Sequence, residues 1–236
     1  MGAFLDVMTY HIMPLDRRQG KVIGYYMSRS PSPKPEAQPV VKPAAAYHHG
    51  DLRQALIGAA REALETATPE TITLKSLAVR LGVSQPAPYR HFENREALLA
   101  AVTADGFARF NRALAEATAG LPPEARFGAS ALAYLAFGRA NRGVYRLMFA
   151  SRMLPTSHDA ALQDVSAAAF GNLVAAVGTH VPPERALPLA IWVWSTLHGL
   201  VMLESEGMVA GPTNGAVDAA GVVHEMVTTL QGPRKA

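Results

Sequence analysis

The residues best equipped for chemistry lie between Thr73 and Arg95. Gln85 carries an amide that donates and accepts at once, which suits the edge of an adenine, and Arg90 carries a fork of donors that can read guanine or hold a phosphate. Tyr89, His91 and Arg95 add groups placed to grip a nucleic-acid backbone. Thr73, Lys75, Ser84 and Ala87 complete the expected DNA-contacting set. This is recognition chemistry rather than catalysis. The chain has no Walker-type loop, no dinucleotide glycine pattern after a strand, no Gly-x-Ser-x-Gly elbow and no His-Glu-x-x-His. It also has no cysteine, which excludes disulfides, thiolate zinc sites and thiol nucleophiles. No enzyme activity, cofactor or metal is expected.

Those side chains need a particular scaffold. Thr73 is a natural cap for a helix over Leu74–Leu81, whose residues Leu77, Ala78 and Leu81 share one face. The small Ala78 allows a second helix to approach, Gly82 supplies a turn that tolerates a left-handed backbone, and Val83 follows it as a buried anchor. Ser84 then caps a third helix reaching about Phe92, which exposes donors near its start, where such a helix enters the major groove. A preceding helix is marked by Leu52, Leu56, Ala59, Ala60, Ala63 and Leu64, with Gly50 or Asp51 as its cap and Thr68-Pro69 as its stop. Asn94 caps a long helix from Arg95 toward Ala119. The unit is a helix–turn–helix.

Tyr47-His-His-Gly-Asp-Leu-Arg53, the helix–turn–helix, and Phe92-Glu-Asn-Arg-Glu-Ala-Leu-Leu99 together resemble the DNA-binding domain of TetR/AcrR-type regulators over roughly residues 47–106. Tyr145-Arg-Leu-Met-Phe149 and Trp194-Ser-Thr-Leu-His-Gly199 are similar to the subgroup whose C-terminal domain is named for its Trp, His and Gly. The resemblance implies a homodimer paired through its last two helices, a small-molecule pocket in each C-terminal domain, and loss of DNA affinity when the ligand binds. Pro88 departs from the pattern, because many such regulators keep a branched apolar residue there, and a proline surrenders an early helical hydrogen bond.

The rest of the chain reads as helices. Pro122-Pro123-Glu124 opens one toward Asn141, Gly143–Ser151 is shorter, Leu162–Val177 shows another apolar face, Pro182-Pro183-Glu184 opens the next, and Val217–Leu230 closes the fold. The expected class is all-α, with a three-helix DNA-binding domain at residues 47–106 and a helical-bundle ligand and dimerisation domain at residues 107–236. Phe137, Tyr145, Phe149, Phe170, Trp194 and His198 are the candidate ligand-binding residues, and an effector they enclose would be largely apolar. Trp194 and His198 share a helical face, so His198 is either a buried neutral histidine with a partner or the polar handle of a pocket.

Three features point elsewhere and carry less. Ala186–Leu203 holds no charge and approaches the length of a membrane span, but a helix apolar all round also fits a bundle core, and no membrane partner is expected. His48-His49 invite a metal reading, yet adjacent histidines diverge and no carboxylate set accompanies them, so a DNA-proximal cap or arm suits them better. Residues 1–46, rich in Pro and Ser between Ser28 and Pro43, read as a disordered tail, or as the product of a mis-assigned start with Met27 as the alternative. That segment carries a charge of +3, against −1 for residues 47–106 and +1 for residues 107–236, so the net +3 says nothing about the DNA-binding domain. The functional expectation is a cytoplasmic, sequence-specific regulator, a ligand-released homodimeric repressor on a palindromic operator. The alternative is an all-α ligand-binding or interaction protein whose helix–turn–helix is only structural.

Overall fold

The structure is a computed structural model and describes residues 52–150 and 160–232. The tail at 1–46, His48-His49 and the cap at Gly50 or Asp51 lie outside the described residues. Eight α-helices and two 3-10 turns make up the described chain, with no strand among them.

Helix α1 spans Leu52–Leu64 and turns Leu56, Ile57, Ala60 and Leu64 inward. After a 3-10 turn at Pro69–Thr71, α2 spans Leu74–Leu81. Thr73 starts α2 through a reciprocal capping box. Its hydroxyl accepts from the Ser76 amide at 3.0 Å, and its own amide donates to Ser76 Oγ at 3.2 Å. Gly82 ends α2 at φ 68°, the left-handed conformation a C-terminal glycine supplies at no steric cost, and the Val83 amide then reaches back to the Ala78 carbonyl at 3.0 Å.

The third helix differs from the sequence expectation. In place of a Ser84-capped helix to Phe92, the chain makes a turn at Gln85-Pro86 and a short 3-10 segment, Pro88–Arg90, whose flanking Ala87 supplies no side-chain cap. The hydrogen bonds explain why. Ala87 donates to Ser84, Tyr89 to Pro86, Arg90 to Ala87 and His91 to Pro88, all three residues back. An α-turn would need the residue-88 amide to donate to the Ser84 carbonyl, and proline has none. Each proline also disfavours helical backbone in the residue before it. The path stays helical in direction, since Ala87 sits at φ −60°, ψ −44°, but it is wound tighter. Pro88 is buried where a branched residue was expected.

Asn94 caps α3, Arg95–Thr118, by accepting from the Ala97 amide at 2.8 Å. The expected boundary between residues 106 and 107 falls inside this helix, so the two halves of the chain share one continuous element. α4 (Pro123–Ala140) and α5 (Arg142–Ala150) follow, then α6 (Ala160–Gly178), α7 (Pro183–Ser205) and α8 (Ala219–Gln231), the last capped by Asp218. α3 is the hub, packing on α1, α4, α5 and α6.

α6 and α7 are each long and apolar enough to cross a membrane by length and composition. α7 spends that apolarity on the core, burying Ala190, Val193, Leu197, Leu200 and Val201 against α4, α6 and α8. α6 fully buries only Leu162 and Val177, because much of its inner face borders open space.

Candidate DNA-reading face and ligand cavity

The DNA-reading face grows from a small, dense core. Leu56, Leu77, Ala78 and Leu98 are essentially inaccessible, and Phe92 locks the end of the turn beneath them. Arg53 lies over the Phe92 ring at 5.2 Å, a cation–π contact joining α1 to the turn's far end. Sequence reasoning placed both residues in a motif but missed the contact. With Pro88 and Phe92 buried, the intervening Tyr89 and Arg90 are forced outward, and Tyr89 is 56% exposed.

Gln85, Tyr89, Arg90 and Lys75 are all exposed, and no described protein group pairs with their side chains. The 3-10 segment that carries Tyr89 and Arg90 packs against α2, whose first turn holds Lys75. Ser84 is exposed, Ala87 and His91 are half-buried, and Thr73 is occupied as a cap. Arg95 is held more closely than its sequence position suggested. Its Nη1 donates to the Glu70 carbonyl at 3.1 Å, and Nε and Nη2 donate to Glu96 Oε1 at 3.1 and 2.8 Å. Those bonds hold the Glu96 carboxyl below the usual carboxylate range.

The second site is an open-mouthed cavity of about 1010 Å³ lined by α3, α4, α5, α6 and α7. Its aromatic wall contains Phe107, Phe110, Tyr134, Phe149, Phe170 and Trp194, linked edge to face: Phe110 meets Tyr134 at 5.1 Å and Phe107 meets Phe149 at 5.4 Å. Among its described lining residues there is no carboxylate, and Arg126 is the one formally charged group. Asn111 lies in the lining, with its Oδ1 buried and unpartnered.

Of the six ligand candidates, the structure brings Phe149, Phe170 and Trp194 to this cavity. Phe137 sits behind the wall, edge-on to Phe110 at 5.2 Å. Tyr145 is 1% exposed and borders a separate recess of about 200 Å³ beside Arg142 and Arg146. His198 borders neither space. Phe107, Phe110, Asn111 and Tyr134 were missed. Their helical spacing was legible, but which face would border a void is decided by helices far apart in sequence.

Tyr145 and His198 nevertheless matter to the cavity. The Tyr134 and Tyr145 hydroxyls are 2.9 Å apart, and the Tyr145 hydroxyl lies 2.8 Å from His198 Nδ1. Burial lowers the His198 pKa, so the neutral ring is favoured, and in its Nε2-protonated tautomer Nδ1 accepts from the Tyr145 hydroxyl. Tyr145 oxygen is then open to the Tyr134 O–H. Burial pushes the Tyr134 hydroxyl up to about 12 and Tyr145 higher still, so both remain protonated donors at neutral pH. The chain runs from the cavity wall on α4, through α5, to α7.

α5 also meets the DNA-reading half. A methyl group on Gly143 would overlap the Leu64 carbonyl oxygen, so α5 lies against the end of α1 at a distance only glycine permits. Phe149, further along the same helix, borders the cavity.

A helix–turn–helix with outward donors, joined through shared helices to a hollow bundle, defines a ligand-binding transcription regulator. Comparison with known proteins agrees. Residues 56–102 match the family described as bacterial regulatory proteins, tetR family, and residues 127–230 match the one described as tetracyclin repressor-like, C-terminal domain. A structure of a protein with unknown function from Rhodococcus sp. RHA1 is 30% identical, covering 78% of this chain and 96% of that one, with a TM-score of 0.67. A regulator described as HTH-type and uncharacterized, Rv0681 of Mycobacterium tuberculosis, is 25% identical over 75% of this chain and 79% of its own length. The tetracycline repressor protein class C of Escherichia coli is 50% identical over 50 residues, which span 21% of this chain and only 23% of that repressor. A variant of TetR from Acinetobacter baumannii, solved in complex with minocycline, shares the fold at 22% identity and a TM-score of 0.51, covering 77% of this chain and 97% of that one. The chain belongs to the tetR family of bacterial regulatory proteins. It is a transcriptional regulator with a DNA-binding helix–turn–helix; the narrower Trp-His-Gly grouping is not what the C-terminal match names.

Proposed function

We propose that this chain is a ligand-released, homodimeric repressor that acts without catalysis in the cytoplasm, on a palindromic operator. Each subunit would place its Ser84–His91 turn in one major groove, with Gln85 and Arg90 toward base edges and Lys75, Tyr89 and the α2 amides toward phosphates. Arg95 would join the phosphate contacts by exchanging Glu96 for DNA. The observation that carries the reading is the set of unpaired, outward donors Gln85, Tyr89 and Arg90, held on a wedge of buried Pro88 and Phe92.

Dimerisation through α7 and α8 is supported by the apolar outer face of α7. Leu187, Trp192 and Leu203 are all at least 40% exposed there, a surface that monomers rarely leave bare. Release by ligand is supported by α5, which touches both cavity and α1. An effector that displaces Phe149 would reset the seat of Gly143 on Leu64 and thereby the spacing of the two reading turns. The effector shifts the equilibrium only by as much as it prefers one state, so tight binding alone does not release DNA.

The test is fluorescence anisotropy with DNA from upstream of the chain's own gene, across a salt series and against scrambled DNA. The repressor reading expects a complex that survives moderate salt and outcompetes the scramble. A folded protein that binds neither DNA would support the alternative of a structural helix–turn–helix.

A further inference from the structure

Asn111 is half-buried in the cavity lining, and its Oδ1, covered and without a donor, is the one orphaned side-chain polar atom among the described residues. The side chain projects from α3, where Nδ2 donates to the Val165 carbonyl of α6 at 3.2 Å. That bond fixes the amide: the nitrogen must face the carbonyl, so Oδ1 is the acceptor left over. A buried acceptor without a donor destabilises the fold, and native proteins rarely leave one unexplained. The surrounding wall is aromatic, with Phe107, Phe110 and Phe170 among its rings, and it suits the flat faces of an aromatic guest.

Resting on the cavity being the effector site, we propose that the effector is an aromatic molecule carrying an O–H or N–H donor, and that this donor pairs with Asn111 Oδ1 as the atoms packed over that oxygen yield to the guest. The pairing would also set regulation. Asn111 already ties α3 to α6, the helix that gives least of its surface to the core, so a guest bound there acts on the joint between the hub and the loosest wall of the cavity. Discrimination then has a physical basis. A guest of the same shape whose donor is capped leaves Oδ1 unpaired, whereas an apolar side chain at 111 has no such demand.

The test uses a matched pair of probes, 4-phenylphenol and 4-methoxybiphenyl, with dissociation constants from equilibrium dialysis on the full chain. Methylation removes the donor and makes the probe more apolar, so a cavity without an acceptor favours the ether. The account expects wild type to favour the phenol, and Asn111→Leu to lower the ratio of ether to phenol dissociation constants about tenfold. Asn111→Ala, smaller and less demanding to pack, should lower it in the same direction should the leucine variant fail to fold. Ala169→Trp, which fills part of the cavity from α6, should weaken both probes together. A ratio unchanged by both Asn111 variants, with Ala169→Trp still weakening both probes, overturns the Asn111 pairing and leaves the cavity as effector site. Binding that survives Ala169→Trp, or no binding of either probe, overturns the cavity reading beneath it.

Discussion

The two ends of this molecule are packed to opposite standards. Around α1, α2 and the start of α3, Leu56, Leu77, Ala78 and Leu98 leave almost no accessible surface, and the reading turn rests on that block through Pro88 and Phe92. Beyond Phe107 the same α3 borders about 1010 Å³ of open space. Close packing gives one arrangement of side chains, so the DNA end can present fixed donors. A void forgoes contact energy, and the elements lining it can repack when a guest supplies it. α5 belongs to both regimes, with Gly143 seated tightly on α1 and Phe149 at the cavity.

The widest contrast lies in the cores. Leu77→Ala should cost about 2–5 kcal/mol, since its surroundings cannot collapse. Phe170→Ala, half-buried at the cavity wall, should cost less than half as much by urea denaturation. Equal costs would break the comparison.

Next comes the joint. Gly143→Ala forces a methyl group onto the Leu64 carbonyl oxygen, and α5 must move away from α1. Overpacking of this kind costs about 1–3 kcal/mol, and the variant should lose DNA affinity while still binding the aromatic probes. Retained DNA affinity would separate α5 from the signal path.

A smaller effect is expected at the α2 cap. Thr73→Ala removes the hydroxyl that accepts from Ser76 and should cost about 1 kcal/mol, read as a shift in denaturation midpoint at constant slope.

The smallest effect concerns His198. Its pKa is lowered in the folded chain from an ordinary value of 6.5, so the unfolded chain takes up the proton first as pH falls. Wild type should therefore lose stability as pH drops below about 6.5, and His198→Gln should lose less over the same interval. Parallel stability profiles for the two proteins would show that burial does not hold the His198 ring neutral.

The same contrast governs what could be read from sequence. Thr73, Gly82 and Asn94 act on residues three to five positions away, and α2, its turn and the start of α3 appear where those residues place them. The 3-10 character of the reading turn was latent in Pro86 and Pro88, but Ser84 signalled a cap strongly enough to suggest a regular helix. The cavity was legible only as an inventory of aromatic residues. Phe149, Phe170 and Trp194 face it while Phe137 and Tyr145 do not, and that sorting depends on how α3, α4 and α7 cross. Asn111 gave no signal at all, because an unpaired atom is a property of packing.

Selection of binding sites from a random duplex pool tests the central claim most directly, with wild type and Gln85→Ala run side by side. The account predicts an inverted-repeat consensus for wild type, its half-sites about one helical turn or a multiple apart, and relaxed preference in the variant at symmetric positions within both halves. No enriched sequence from a folded wild-type dimer, or the same consensus from both proteins, would contradict the assignment of the Gln85–His91 turn as the element that reads DNA.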